Sequence, residues 1–375
     1  MDFNLTDEQL MLRNSVRRFV SNEYSLDKRR ALSRSELGYS TEFWRSFGEL
    51  GWLGLGLPEN VGGLGCSSIE TAILMEELGR GIVLEPYVSS AILCAHVLDR
   101  CGNEAVRVRK LAEMIAAKCR LALAHWETSQ RYDQSLPQTH ATRTDRGFVL
   151  NGEKSVVLDA HGADEFIVSA CVTGQPSYSL FLMGRGVPGL HISAYPLIDD
   201  SRAADVRLDQ VLVPASALLE EHALSRTILD EAVDRAILGR AAEALGAMES
   251  VMELTAEHLK NRVQFGQPIG KFQALQHRVA EMFVEVQEAR SMLYCGLAHI
   301  DAAPALRRKT IAAMKVVVAN AGRIVGGSAI QLHGGMGLTA ECAVGHYYKK
   351  LVAFDRIYGD VDQTLDRLVR QGMAS

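Results

Sequence analysis

Apolar positions along the chain recur at two periods, and the places where the period changes divide it into three stretches. Up to about residue 120 the spacing is helical: Thr6-x-x-Gln9 and Ser67-x-x-Glu70 have capping-box form. The second box opens a run of Ile69, Ala72, Ile73 and Met75 that Gly79 is expected to stop. Between the boxes, the Gly-rich stretch from Leu50 to Gly65 reads as a buried connector. From 121 to 225 short apolar runs follow at regular intervals: Phe148 to Leu158, Phe166 to Val168, Leu180 to Leu182, Leu190 to Ile192 and Val206 to Leu208. They predict a small antiparallel sheet, with Asn151-Gly152 favouring a tight hairpin turn. From 226 to 375 the helical spacing returns, and Leu275, Val279, Met282, Phe283, Val286, Ala289 and Leu293 fall on one stripe that predicts a broad buried face. The fold class is therefore α+β and mainly α: a helical domain over 1–120, a β domain over 121–225 and a helical bundle over 226–375.

Composition narrows the function. With 47% hydrophobic residues, 9 prolines and no Ser/Gly/Pro-rich linker in 375 residues, the chain can build docked domains around large cores. A net charge of −5 and a pI near 6.1 argue against nucleic acid or anionic lipid as partners of a general basic field. No stretch approaches the ~18 unbroken apolar residues of a membrane helix, and Met1 to Asn4 lack the charged-then-apolar layout of a signal peptide. A cytoplasmic protein without membrane contact is expected. Seven scattered cysteines fit reduced thiols, and Cys342 with His346, one turn apart, is too few ligands for a metal site. The G-x-G-x-x-G match at Gly184 to Gly189 is followed by Pro188-interrupted, strand-like sequence rather than a helix, so it is no dinucleotide fingerprint.

Two segments carry chemistry when taken together. Arg262 to Gln276 lies between two predicted helices, and Gln331 to Gly337 follows a third, about 70 residues on. Arg262 offers a planar, permanently charged fork suited to a pyrophosphate, and Gly334-Gly335 permits close backbone approach. In this order and spacing the two segments resemble the flavin-binding segments of the acyl-CoA dehydrogenase family. The resemblance extends over essentially the whole chain, through Phe3 to Gln9, Gly51 to Gly65, Asn151 to Lys154 and Leu208 to Pro214. Ser129 to Asp133, Gly152 to Leu158 and Val344 to Lys350 look like the small subunit of the pimeloyl-CoA dehydrogenase branch, which works with a second, related subunit.

The resemblance implies a C-terminal four-helix bundle and FAD held at a dimer interface. Arg262, Gln264 and Phe265 would meet the diphosphate and adenine, with Gln331, Gly335 and Gln363 completing the grip. Around the flavin ring the sequence departs from many relatives: residues 124–133 lack the usual Thr-Glu-Pro pattern, and Val156 to Leu158 replace a Trp-Ile-Thr run. Trp126 is the candidate for aromatic contact with the ring and Ser129 or Tyr132 for a hydroxyl. The partners implied are an acyl-CoA substrate, an electron-transferring flavoprotein as acceptor, and further copies or a related subunit in a dimer or tetramer. An oxidase passing electrons to oxygen stays open.

In this family a carboxylate takes the proton next to the thioester carbonyl while hydride leaves the neighbouring carbon. Its common place, a Tyr-Glu-Gly-Thr segment, matches Tyr358-Gly359 here, so a glycine stands where the base is expected. The Gly359 N–H still serves to polarise the thioester, because a backbone donor does not depend on a side chain. Asp360 and Asp362 lie close by, but a shift along the chain re-aims the side chain and Asp is one methylene shorter than Glu, so they read as turn carboxylates, Asp360 being the second candidate base. Relatives such as isovaleryl-CoA dehydrogenase place the base in a Glu-Arg pair on an earlier helix, matched here by Asp234-Arg235. Asp234 is the favoured base; Arg235 and Arg131 are the candidate substrate contacts, Arg131 or His125 meeting a distal carboxylate of a dicarboxyl-CoA or another bulky acyl-CoA. The competing reading is a partner subunit that lends flavin and interface to a heteromer whose other chain holds the base.

Overall fold

Thr6 opens the first helix as its spacing predicts: its hydroxyl accepts from the Gln9 N–H at 3.2 Å, and the Gln9 side chain accepts from the Thr6 N–H at 3.0 Å. In the computed structural model, which describes residues 4–130 and 136–373, helices α1 (Asp7–Glu23), α2 (Leu26–Ser33), α3 (Thr41–Glu49), α4 (Ser68–Arg80), α5 (Ala95–Arg100) and α6 (Glu104–Ile115) precede the sheet. The strands are β1 (Leu121–Ala124), β2 (His140–Thr144), β3 (Gly147–Leu158), β4 (Glu165–Val172), β5 (Tyr178–Gly184), β6 (Leu190–Pro196), β7 (Arg202–Val213) and β8 (Leu218–Glu220). Then come α7 (His222–Asn261), a hairpin of β9 (Val263–Gln264) and β10 (Gln267–Pro268), α8 (Gln273–His299), α9 (Pro304–His333), α10 (Ala343–Arg356) and α11 (Val361–Met373). None of the described helices is long and apolar enough to cross a membrane.

Spatially the residues group into two compact units, Met1–Ala31 with Ser68–Val83 and Ile237–Ser375, and Leu32–Ser67 with Leu84–Ala236. The second unit holds the sheet, ordered β6-β7-β3-β2-β4-β5-β8 among the described residues, with β1 also on β4. Most neighbours are antiparallel as expected, but β1 and β2 both run parallel to β4. Phe148, Phe166 and Phe181 fill its core, the first and last edge to face at 5.0 Å. The Gly-rich stretch is buried in part: Trp52, Leu53, Leu55 and Leu57 are inside, while Leu50, Glu59, Asn60 and Leu64 are exposed. A Cβ on Gly63 would sit 2.1 Å from the Leu57 carbonyl oxygen, so only glycine fits there.

Two local expectations are corrected. Asn151-Gly152 is no hairpin turn: it lies within β3, at an irregularity in the pairing with β7, where Asn151 Oδ1 accepts from the Gln210 N–H at 2.8 Å. The turn falls at Asp145-Arg146 instead, since Thr144 pairs with Gly147. α4 ends at Arg80, one residue past Gly79 and so where the spacing predicts, and a Cβ on Gly79 would lie 2.0 Å from the Glu243 carbonyl oxygen and one on Gly246 1.8 Å from that of Glu76. The two glycines let α4 and α7 cross with their backbones touching. On α8, Met282, Val286, Ala289 and Leu293 are buried, but Phe283 is 52% exposed and Leu275 and Val279 are only half-buried. The apolar stripe is wider than the row that α8 presses inward.

Candidate active site

α7 ends at Asn261, and Phe265 at φ +53° with Gly266 at φ +76° turns the chain back between β9 and β10. The Arg262 carbonyl accepts from the Ile269 N–H at 2.8 Å, so the hairpin starts from a fixed base. α9 ends at His333, and Gly334 takes φ +61° to begin a short 3₁₀ turn. These ends share one depression of about 600 Å³, lined by His258, Arg262, Gln264, Arg278, Gln331, His333, Gly334 and Gly335 among others. Four predicted contacts therefore meet: Arg262, Gln264, Gln331 and Gly335. A Cβ on Gly334 or Gly335 would find nothing within 4 Å, so both glycines leave open space for a ligand to reach the backbone. Two guanidinium groups and open backbone suit a diphosphate. Phe265 stands 89% exposed on the hairpin, its ring edge-on to Phe272 at 6.1 Å.

Sequence reasoning missed three residues of this depression, His258, Arg278 and His333. The His258 and His333 rings stack at 4.3 Å, and His333 Nδ1 lies 2.9 Å from the Ala329 carbonyl and so carries a proton toward it. Burial, then the charges of His333 and Arg262, hold His258 below the usual imidazole range. The available signal was spacing: His258 is one turn before Arg262, and His333 directly precedes Gly334.

Gly359 and Asp360 sit in the turn joining α10 to α11, and Gln363 in the first turn of α11. Tyr358 and Gly359 both take positive φ, +60° and +112°, which only the second does without strain. Asp360 caps α11: its Oδ1 accepts from the Gln363 N–H at 2.9 Å and its Oδ2 lies 3.2 Å from the Arg356 guanidinium. Gln363 is half-buried, and its Oε1 lies where a Cβ on Gly359 would come within 2.7 Å. Below this turn lies Lys315 of α9, 1% exposed, whose Nζ donates to the Ile357 carbonyl.

The other candidates are in the unit that contains the sheet. Asp234 is buried and Arg235 half-buried on α7, and Asp230, one turn earlier, is a second buried carboxylate that the sequence reading passed over. Glu231 lies 3.4 Å from His96 Nε2 and 3.9 Å from Arg100, while burial keeps His96 below its ordinary range. Trp126, half-buried, follows β1 with its ring edge-on to His125 at 5.3 Å, and Ser129 is exposed. Beneath them Lys154 and Glu127 form a buried pair at 2.7 Å. Glu127 also accepts from the Gln138 and Thr139 N–H groups at 2.7 and 3.0 Å, which ties the two ends of that loop to one carboxylate. Burial works to raise the Glu127 carboxyl, but the Lys154 charge and the hydrogen bonds outweigh it and hold it low; Lys154 itself is pushed down to about 8 by burial. His125, brought to about 3 by burial and the Lys154 charge, is a neutral core ring that offers no charge to a substrate carboxylate. Arg131 lies outside the described residues. Among the described residues no group of three metal-ligating side chains is assembled.

Residues 6–118 match the family model "Acyl-CoA dehydrogenase, N-terminal domain" and residues 227–373 match "Acyl-CoA dehydrogenase, C-terminal domain". The chain is 29% identical over 363 residues to mitochondrial isovaleryl-CoA dehydrogenase of Pongo abelii, covering 92% of this chain and 84% of the relative. Among solved structures it superposes on the glutaryl-coenzyme A dehydrogenase complex with glutaryl-CoA with a TM-score of 0.92 at 26% identity, covering 100% of this chain and 97% of that one. It also superposes on the ChsE4-ChsE5 complex from Mycobacterium tuberculosis with a TM-score of 0.90 at 25% identity, covering 100% of both. With both family models matched and the fold shared over the whole length of the chain, it belongs to the acyl-CoA dehydrogenase family, whose members use FAD to dehydrogenate acyl-CoA thioesters.

Proposed function

We propose that this chain desaturates an acyl-CoA between its α and β carbons with Asp234 as the base and the Gly359 N–H as donor to the thioester oxygen. The observation that carries the reading is the paired change of site: a glycine with φ +112° where relatives hold a carboxylate, and a carboxylate only 8% exposed on α7 at the position that isovaleryl-type relatives use. Asp360 supports it from the other side, since its oxygens are engaged by the Gln363 N–H and by Arg356.

FAD, when bound, supplies the hydride acceptor. Arg262 and Arg278 neutralise its diphosphate, and Gly334 and Gly335 give it close backbone approach. The Gly359 N–H donates to the thioester oxygen and makes the α-hydrogen acidic. Asp234 takes that proton as the α C–H bond breaks and the double bond forms, while the β-hydrogen leaves with its electron pair. Trp126 and Ser129 are the residues for the flavin ring, Gln363 for the cofactor grip and Arg235 for the acyl-CoA. The substrate class is a dicarboxyl-CoA or another bulky acyl-CoA, as the similarity to the pimeloyl-CoA branch suggests. An electron-transferring flavoprotein in the cytoplasm then takes the electrons.

A second reading is favoured by Gly359 alone: the chain is the partner subunit of a heteromer. The two-protein complex on which it superposes supports such an assembly. One experiment separates them. Purified protein, yellow with FAD, is mixed anaerobically with pimeloyl-, glutaryl- and isovaleryl-CoA, and bleaching of the flavin is followed. Bleaching by the chain alone supports the first reading; no bleaching, together with co-purification of a second family member, supports the other.

A further inference from the structure

We propose that Lys315 is a positioning residue for the Gly359 N–H, holding the Ile357–Gly359 turn from beneath through the Ile357 carbonyl. The inference rests on the reading that this N–H meets the thioester.

Lys315 lies in the middle of α9 among the buried residues Ile311, Met314, Val318 and Ala319, and is itself 1% exposed. Burying an ammonium group among apolar side chains is unfavourable unless a specific contact compensates it. Here the amine donates to the carbonyl of Ile357, the residue that ends α10. That carbonyl is at a helix C-terminus, where the backbone has acceptors left over and a partial negative charge that attracts a cation. The peptide it belongs to leads into Tyr358 at φ +60° and Gly359 at φ +112°. A tyrosine does not keep a left-handed conformation unaided, so its neighbours must hold it. Three contacts do so. Lys315 holds the Ile357 carbonyl, Asp355 Oδ1 accepts from the Val361 N–H at 3.1 Å, and Asp360 Oδ1 accepts from the Gln363 N–H at 2.9 Å. The last two are made within residues 355–363, and of the three only Lys315 reaches the turn from another helix.

The groups facing the amine are Asp355 of α10, Asp360 of the turn, Arg367 of α11 and the Phe354 ring at 5.9 Å. Burial, the largest influence, brings Lys315 down to about 7. An uncharged amine still donates a hydrogen bond, so the hold on Ile357 persists in either protonation state.

The test uses the FAD-loaded enzyme with Lys315→Met, which keeps the stem and removes the donor. Hydrogen exchange read by mass spectrometry should quicken by ~10-fold or more over residues 357–363 while residues 344–353 keep their protection. With acyl-CoA, exchange of the substrate α-hydrogen in heavy water should slow by ~10²-fold with the acyl-CoA Kd within about threefold, the pattern of a misplaced donor. Lys315→Arg, which keeps a donor of different reach, should recover part of both and serves in its place if the Met variant does not fold. Unchanged backbone exchange over 357–363 overturns the proposal whatever the kinetics show. A loosened turn with α-hydrogen exchange at the wild-type rate also overturns it. If the wild type exchanges no α-hydrogen with any of the three acyl-CoAs, the Gly359 reading has failed, and the backbone exchange still decides whether Lys315 holds the turn.

Discussion

The depression around Arg262 and the turn around Gly359 reach precision by opposite means. The first is open: Arg262, Gln264, Gln331 and Gly335 are all exposed, and its two glycines face space that nothing in the chain fills. The second is closed: Gly359 is buried and its conformation is secured by Lys315 of α9, Asp355 of α10 and Asp360 of the turn itself. An open cradle leaves its groups solvated until a ligand arrives, so loss of one contact weakens binding by that contact's worth. A turn that must aim one N–H has its supports inside the protein, and disturbing them costs rate before it costs affinity.

The difference breaks most severely at the base. Asp234→Asn should slow flavin reduction by ~10²–10⁴-fold with FAD retained. Asp360→Asn should change the rate little, and Asp360→Ala should lower stability by about 1 kcal/mol through the lost cap of α11, seen as a drop in Tm. If the two outcomes are exchanged in stopped-flow and melting experiments, Asp360 is the base and its capping role secondary.

Next in size is the buried Lys154–Glu127 pair. Lys154→Met leaves an uncompensated carboxylate that also anchors Gln138 and Thr139, and should cost ~3–5 kcal/mol in denaturant unfolding. Lys154→Met together with Glu127→Gln should recover a good part of that, because no lone charge remains buried.

For the cradle, Arg262→Ala should weaken FAD by ~10–100-fold, since a charge-assisted contact is worth about 1.5–3 kcal/mol. Gly335→Leu should weaken FAD as well while leaving the Tm of the apoprotein within a degree or two, because the added Cβ has nothing within 4 Å and points the side chain into the open depression's space. FAD titration by fluorescence quenching checks both. A large loss of apoprotein stability in Gly335→Leu would mean the cradle is not open.

The smallest effect concerns pH. Lys315 has a folded value of about 7 against the ordinary 10.5, so between those values the unfolded chain holds more protons and stability rises with pH. Below pH 7 both states are charged and the burial cost is fully present. Raising the pH from 7 to 8 should therefore stabilise the wild type relative to Lys315→Met by about 1 kcal/mol. Parallel pH profiles for the two proteins would place the amine in contact with water.

Periodicity made the helix–sheet–helix order legible, and the capping box at Thr6 was readable because both its contacts are local. The glycines show where such reading stops. Asn151-Gly152 has turn chemistry, but β7 and Thr139 lie against it and convert it to a strand irregularity: a Cβ on Gly152 would come 2.4 Å from Thr139 Oγ1. Gly79 lies one residue from the end of α4, as its spacing suggests, but it is also a crossing point that spacing does not reveal, because the neighbour that needs the space, Glu243, is far along the chain.

The candidate site divides along the same line. By itself the sequence determined the family, and it named Arg262, Gln264, Gln331 and Gly335, which share one depression, as the proposed FAD cradle and Gly359 as the glycine where the resemblance expects a carboxylate, because each rests on residue type at a position and a spacing along the chain. The tertiary structure alone decided that His258, Arg278 and His333 share the cradle, that Asp360 is a helix cap, that His125 is a neutral core ring, and that Lys315 lies beneath the Ile357 carbonyl. Those facts depend on which side chains exclude water from one another and which orphan backbone groups they meet, and residues such as Lys315 and Ile357, 42 positions apart, acquire that relation only when α9 and α10 pack.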